Sequence, residues 1–115
     1  MRLALSLPPS VNHYLRHTRN GTYKTQDAKS WQASSGYLAR RWWGQREPLA
    51  QKLVLRCWVY WPDNRRRDCD NLTKCLADAL TGIVWADDCY VLPQYMDYQV
   101  DKKNPRIEVE VEVKE

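Results

Sequence analysis

The sequence predicts one α+β (mixed α/β) domain over residues 1–115, in the order β-α-β-α-β-β, with two helices packed on a mixed sheet. Three observations lead there. The chain of 115 residues has the length of a single domain. Residues 53–61 and 107–113 alternate in the period-two manner of strands, and residues 28–42 and 72–80 repeat apolar positions at three and four. With 43% hydrophobic residues, six tryptophans and seven tyrosines, the chain can bury a core without disulfide staples.

Arg2 to Leu7 alternates, with Leu3, Leu5 and Leu7 on one face, and Pro8-Pro9-Ser10 ends that strand. A long polar loop follows, carrying Asn12, Tyr14, Arg16, Arg19, Tyr23 and Lys24, with a turn at Asn20-Gly21. Aromatic and cationic groups mixed in this way can stack on bases and hold phosphates. Thr25 is placed to cap a helix running to about Trp43. Ala28, Trp31, Gln32, Ser35, Leu38, Ala39 and Trp42 form its face, Arg40 and Arg41 suit its negative end, and Gly44 stops it. Leu53 to Trp61 reads as a long strand, and its second face is also apolar enough to place it centrally. Leu72, Cys75, Leu76, Ala79 and Leu80 form the stripe of a helix from about Asn71 to Leu80, with Asp70 or Asn71 at its N-cap. Cys89 to Val100 is extended, but Pro93 confines it to an edge or kinked strand. Ile107, Val109, Val111 and Val113 alternate with Glu108, Glu110, Glu112 and Lys114 in a final strand with a solvated acidic face.

A net charge of +4 is a weak pointer to nucleic acid. Cys57, Cys69, Cys75 and Cys89 show no C-x-x-C spacing, so zinc is not expected and reduced thiols are. The apolar patch Leu3 to Leu7 is short and broken by Ser6, so neither a signal peptide nor a membrane span is expected, and the expected location is the cytoplasm.

The chemistry concentrates in Arg65-Arg66-Arg67-Asp68-Cys69-Asp70-Asn71-Leu72-Thr73-Lys74. On an extended segment, side chains at i and i+2 point the same way, roughly 7 Å apart, so Asp68 and Asp70 could face one point. Lys74 follows Asp70 by four, on the same face of a helix. A second acidic pair, Asp87-Asp88, comes after Ile83-Val84-Trp85, and an antiparallel return would bring it back beside Asp68. Carboxylates and a lysine beside an arginine run suit divalent-metal chemistry on a phosphate backbone, since Mg²⁺ takes oxygen ligands and the guanidinium groups neutralise phosphate. The competing reading is a capping acidic pair at a helix start, with Lys74 paired to Asp70 or Asp78 at i,i+4.

These residues carry a resemblance. Arg65-Arg66-Arg67-Asp68-x-Asp70-Asn71-Leu72-x-Lys74, then Asp78-Ala79-Leu80-Thr81 and Trp85-x-Asp87-Asp88, resemble the RusA family of Holliday junction resolvases. The opening Leu7-Pro8-Pro9-Ser10-x-Asn12-x-Tyr14 is similar to that family's opening. The resemblance implies a RusA-like domain and a homodimeric, Mg²⁺-dependent endonuclease, with Mn²⁺ a possible substitute, that nicks four-way DNA junctions symmetrically. It implies that such a chain is phage- or prophage-borne. Position by position, it makes Asp68, Asp70 and Asp88 the catalytic, metal-binding carboxylates and Lys74 the catalytic lysine. Between Leu80 and Trp85 the chain is one residue shorter than the family pattern, which leaves Asp87 and Asp88 as rival inward ligands. DNA contact is expected from Asn12, Tyr14, Arg16, Lys24, Arg65, Arg66, Arg67 and Asn71. Two rival functions share these features. One is a non-catalytic branched-DNA-binding accessory protein of a phage replication module. The other is a metal-dependent nucleotide phosphohydrolase.

Overall fold

The computed structural model describes residues 2–10 and 15–115, and of residues 15–17 the backbone alone. Its elements are β1 (Leu3–Leu5), β2 (Leu15–Thr18), β3 (Gly21–Lys24), α1 (Gln26–Trp43), β4 (Leu53–Trp61), α2 (Thr73–Leu80), β5 (Val91–Val100) and β6 (Arg106–Val113). Short 3₁₀ turns at Cys69–Leu72 and Asp88–Tyr90 lead into α2 and β5.

The main sheet is ordered β1-β6-β4-β5. β4 pairs antiparallel with β6 and parallel with β5, and β1 closes the far edge antiparallel to β6. The sheet is therefore mixed, as the sequence predicts, and β4 is central. The parallel β4–β5 pair needs a crossover, and α2 with its flanking turns supplies it. β5 lies at the sheet edge, where Pro93 costs no ladder hydrogen bond on the open side.

One expectation is corrected. The stretch read as a polar loop pairs with itself as the β2–β3 hairpin, in register from Leu15 opposite Lys24 to Thr18 opposite Gly21. Residues 21–24 are all exposed, so burial leaves no apolar alternation in the sequence. Local hydrogen bonds shape the turn instead: Thr18 Oγ1 donates to the Gly21 carbonyl at 3.1 Å and Tyr23 Oη to the Asn20 carbonyl at 3.2 Å. Gly21 takes a positive φ of 137°, where a side chain would be strained.

The core lies between the helices and the inner face of the sheet. Leu53, Leu55, Cys57, Val59 and Trp61 of β4 alternate into it, joined by Leu5, Ile107 and Val109. Thr25 caps α1 as expected, its hydroxyl accepting from the Ala28 N–H at 3.2 Å. The buried stripe of α1 is Ala28, Trp31, Ser35, Ala39 and Trp43, whereas Leu38 is exposed and Trp42 half-buried. The stripe thus runs through Trp43 rather than Trp42. Trp31 Nε1 donates to the Ser6 carbonyl at 2.9 Å, tying α1 to the end of β1. Gly44 ends the helix at φ 72°, its N–H donating to the Arg40 carbonyl.

Charged and aromatic side chains cover the outer face of β4. The Arg2 guanidinium stacks 3.4 Å from the Trp58 ring centroid and the Arg106 guanidinium 3.7 Å from that of Tyr60. Glu108 accepts from Arg106 Nε at 2.7 Å and pairs with Arg2 at 3.3 Å, and Glu112 pairs with Arg56. Two acidic residues of β6 thus meet arginines, Glu108 through Arg106 on its own strand and through Arg2, and Glu112 through Arg56 of β4, while Glu112 stays solvent-exposed as expected.

Candidate active site

Two segments build the site, one at each end of the β4–α2–β5 crossover. The first leaves β4 at Trp61. Asp63 gathers two of the three arginines that follow. Its carboxylate accepts from Arg67 Nη1 at 2.7 Å and from the Arg65 backbone N–H at 3.0 Å, and it pairs with Arg65 Nε at 3.5 Å. These bonds hold the Asp63 carboxyl down to about 2, with the Arg67 guanidinium the main cause. Arg67 also packs 5.1 Å from the centroid of Trp61. Arg66 is exposed and, among the described residues, makes no ion pair or hydrogen bond through its side chain. Of the three guanidinium groups, Arg66 alone is without a partner among the described residues.

Asp68 has extended backbone, but a 3₁₀ turn begins at Cys69. This overturns the extended geometry expected for Asp68 and Asp70. With the chain turning at Cys69, the alternation that would aim residues i and i+2 the same way is broken between Asp68 and Asp70. Asp68 lines a groove with Leu7, Pro8, Trp61, Arg66 and Asn71. Asp70 lines a separate hollow with Thr73, Lys74, Asp88 and Pro93. The turn also removes Asp70 and Asn71 from the N-cap of α2: that position belongs to Leu72, with no side-chain cap. Neither Asp68 nor Asp70 makes a hydrogen bond or ion pair through its side chain among the described residues. Lys74 leans toward Asp78 at 3.7 Å, the expected i,i+4 pair, yet stays half-exposed beside the hollow.

The second segment is fixed by burial. Trp85 is fully buried, and its indole N–H donates to Thr81 Oγ1 at 3.0 Å. Leu49 grips the same segment through backbone bonds from its N–H to the Val84 carbonyl and from the Ala86 N–H to its own carbonyl. The acidic pair follows directly. Asp87 is occupied as a cap, accepting from the Cys89 N–H at 2.9 Å, and that bond is the first cause of its lowered pKa. Asp88 opens on the hollow that holds Asp70 and Lys74. The two halves thus bring Asp70, Lys74 and Asp88 together and leave Asp68 beside them, on the arginine side.

Mg²⁺ commonly takes one or two protein carboxylates, with water and substrate phosphate filling the rest. Asp70 and Asp88 fit that open donor set. Among the described residues no three of His, Cys, Asp and Glu come close enough to form an all-protein cage. The nearby thiols have raised pKa values: Cys69 through burial and then Asp70 and Asp68, Cys89 through desolvation and then Asp87 and Asp88.

Of the expected DNA contacts, Asn12 and Tyr14 lie outside the described residues, as does the side chain of Arg16, whose backbone is in β2. Lys24 sits in β3 and donates to Gln32 Oε1 at 3.1 Å. Sequence reasoning missed Thr73 and Tyr95, whose hydroxyls lie 2.8 Å apart beside the hollow. Twenty-two positions separate them, and no local pattern links residues so distant. No helix among the described residues is long and apolar enough to cross a membrane.

The chain is similar to known proteins. A family model described as Endodeoxyribonuclease RusA matches residues 6–112. The chain is 33% identical over 114 residues to the crossover junction endodeoxyribonuclease RusA of Escherichia coli strain K12, covering 95% of this chain and 91% of that one. It is 35% identical over 116 residues to the crossover junction endodeoxyribonuclease of Enterobacteria phage 82, with the same coverage. The Shigella sonnei protein of that name is 33% identical over 114 residues.

Proposed function

We propose, for a chain that belongs to the RusA endodeoxyribonuclease family, that it resolves four-way DNA junctions by paired symmetric nicks, acting as a homodimer. The observation that carries this reading is the convergence of Asp70, Lys74 and Asp88 on one hollow, with Arg66 unpaired on the adjoining groove. The relatives' names, which specify crossover junctions, supply the substrate class. A match to a phage protein supports a phage or prophage origin, with action in the cytoplasm of the host cell.

Asp70 and Asp88 would hold a divalent cation, Mg²⁺ or Mn²⁺ in its place, which would supply Lewis-acid polarisation of a phosphate and a more acidic water. Lys74 stabilises charge developing on the phosphoryl or leaving oxygen. Arg66 and Asn71 hold the adjoining phosphate, so that repulsion from the carboxylates does not expel the strand. Asp68 completes the acidic set from the neighbouring groove once a strand lies across both. The contacts are to phosphate, so junction shape rather than base sequence is read first. A four-way junction can adopt two-fold symmetry, and a two-fold dimer presents two identical sites to opposed strands.

The test is Asp70→Asn against a labelled four-way junction, linear duplex and nucleotides, with and without Mg²⁺. The variant is expected to bind the junction and not cut it. Parental cutting by folded Asp70→Asn would refute the assignment. Binding by the parent without divalent-dependent nicking would point to the accessory-protein reading, and turnover of nucleotides alone to a phosphohydrolase.

A further inference from the structure

Asp70 and Asp88 come from different elements, and their separation depends on how the start of α2 sits against β5. The start of α2 is weakly fixed by its own sequence: its N-cap, Leu72, offers no side-chain hydrogen bond, and the helix is eight residues long. A tie from outside supplies what the cap does not. Tyr95, on the strand that continues from the Asp88 turn, places its hydroxyl 2.8 Å from Thr73 Oγ1. Thr73 is the first residue of α2, adjoins Lys74, and lines the hollow with Asp70 and Asp88.

The strand is shaped for this contact. Tyr95 pairs with Cys57 and Asp97 pairs with Trp58, so Met96 is the extra residue of a β-bulge. Bulges re-aim side chains, and they are over-represented next to active sites. Tyr95 is half-buried, while its strand neighbours Gln94 and Met96 are exposed. Burial raises the pKa of the phenol and outweighs the lowering by its hydrogen bond to Thr73, so it keeps its proton.

We propose that Tyr95 is a positioning residue, whose hydrogen bond to Thr73 sets the spacing between the Asp88 turn and the helical turn bearing Asp70 and Lys74. It touches neither phosphate nor metal and acts through Thr73. This rests on the endonuclease reading given above. A group that orients ligand-bearing elements changes turnover and metal affinity without changing the DNA-binding surface.

The experiment compares Tyr95→Phe, Thr73→Val, their double variant and Thr73→Ser with the parent. Junction cleavage is measured over a Mg²⁺ series, junction binding in EDTA, and melting with and without Mg²⁺. Tyr95→Phe is expected to lower kcat about 10- to 100-fold, the range for residues that orient metal ligands, and to raise the half-saturating Mg²⁺ concentration. KM for the junction and affinity in EDTA stay at the parental values. Thr73→Val matches it, the double variant is no worse than either, and Thr73→Ser restores turnover. Parental kcat and Mg²⁺ dependence in folded Tyr95→Phe would overturn the proposal, as would losses that multiply in the double variant. If Tyr95→Phe does not fold, the Thr73→Val and Thr73→Ser pair decides by the same readouts. If the parent does not nick junctions, the functional reading fails on its own. The Mg²⁺-induced rise in Tm then still tests the tie: an equal rise in parent and Tyr95→Phe refutes it.

Discussion

Trp85→Phe probes whether the acidic turn owes its position to a buried anchor. The indole is fully buried, its N–H donates to Thr81 Oγ1 at 3.0 Å, and the Thr81 hydroxyl donates onward to the Ala77 carbonyl at 2.7 Å. The Gly82 N–H closes the loop onto the Trp85 carbonyl at 2.7 Å. Phenylalanine keeps one ring and loses the pyrrole portion with its donor. At about 0.8 kcal/mol per buried methylene-sized group, the lost ring atoms cost about 2 kcal/mol. The lost hydrogen bond adds about 1 kcal/mol, because Thr81 is exposed and water can replace the indole as its partner. A destabilisation of about 3 kcal/mol, with an unfolding entropy of roughly 2.1 cal/mol/K per residue, lowers Tm by about 12 °C. Circular dichroism melts of parent, Trp85→Phe, Thr81→Val and the double variant measure it. The two sites should couple by about 1 kcal/mol, the part that belongs to the hydrogen bond. A fall in Tm under about 3 °C would show that packing around the turn does not depend on the indole, and the anchoring argument would fail.

Arg66 and Asp63 give two further outcomes. Arg66→Ala should reduce the slope of log junction affinity against log salt by about 0.9, the contribution of one phosphate contact, while Arg65→Ala does less because Asp63 already holds that side chain. Fluorescence anisotropy in EDTA over a salt series reads both, and an unchanged slope removes Arg66 from the interface. Asp63 has a folded pKa near 2 against an ordinary 3.8, so its contribution to stability is complete above the ordinary value and is lost as pH falls toward 2. Asp63→Asn should therefore flatten the acid limb of Tm against pH between about 4 and about 2, and parallel limbs in parent and variant would contradict the Asp63–Arg67 bond.

What was readable in the chain was whatever repeats locally. The alternation of Leu53 to Trp61 and of Ile107 to Val113 gave both central strands, because burial on a pleated surface recurs every second residue. Thr25, Gly44 and the stripe from Ala28 gave α1 with its ends, because caps and helical faces are also local. The β2–β3 hairpin escaped because its strands gain their pairing from a turn and each other, and β3 has no buried residue to mark it. At the site, the motif from Arg65 to Lys74 announced acidic and basic chemistry, but residue spacing could not say which carboxylates meet.

By itself, then, the sequence determined the residue types, the periodicities and the family likeness, all of which sit within short windows. The tertiary structure alone decided that Asp70 and Asp88 share a hollow, that Asp87 is used as a cap, and that Asp68 faces the arginine groove. It also chose Tyr95 as the partner of Thr73. The reason is geometric. A 3₁₀ turn starting at Cys69 rotates neighbouring carboxylates apart, while a buried tryptophan and a parallel crossover bring distant ones together. Neither effect leaves a trace in the local order of residues.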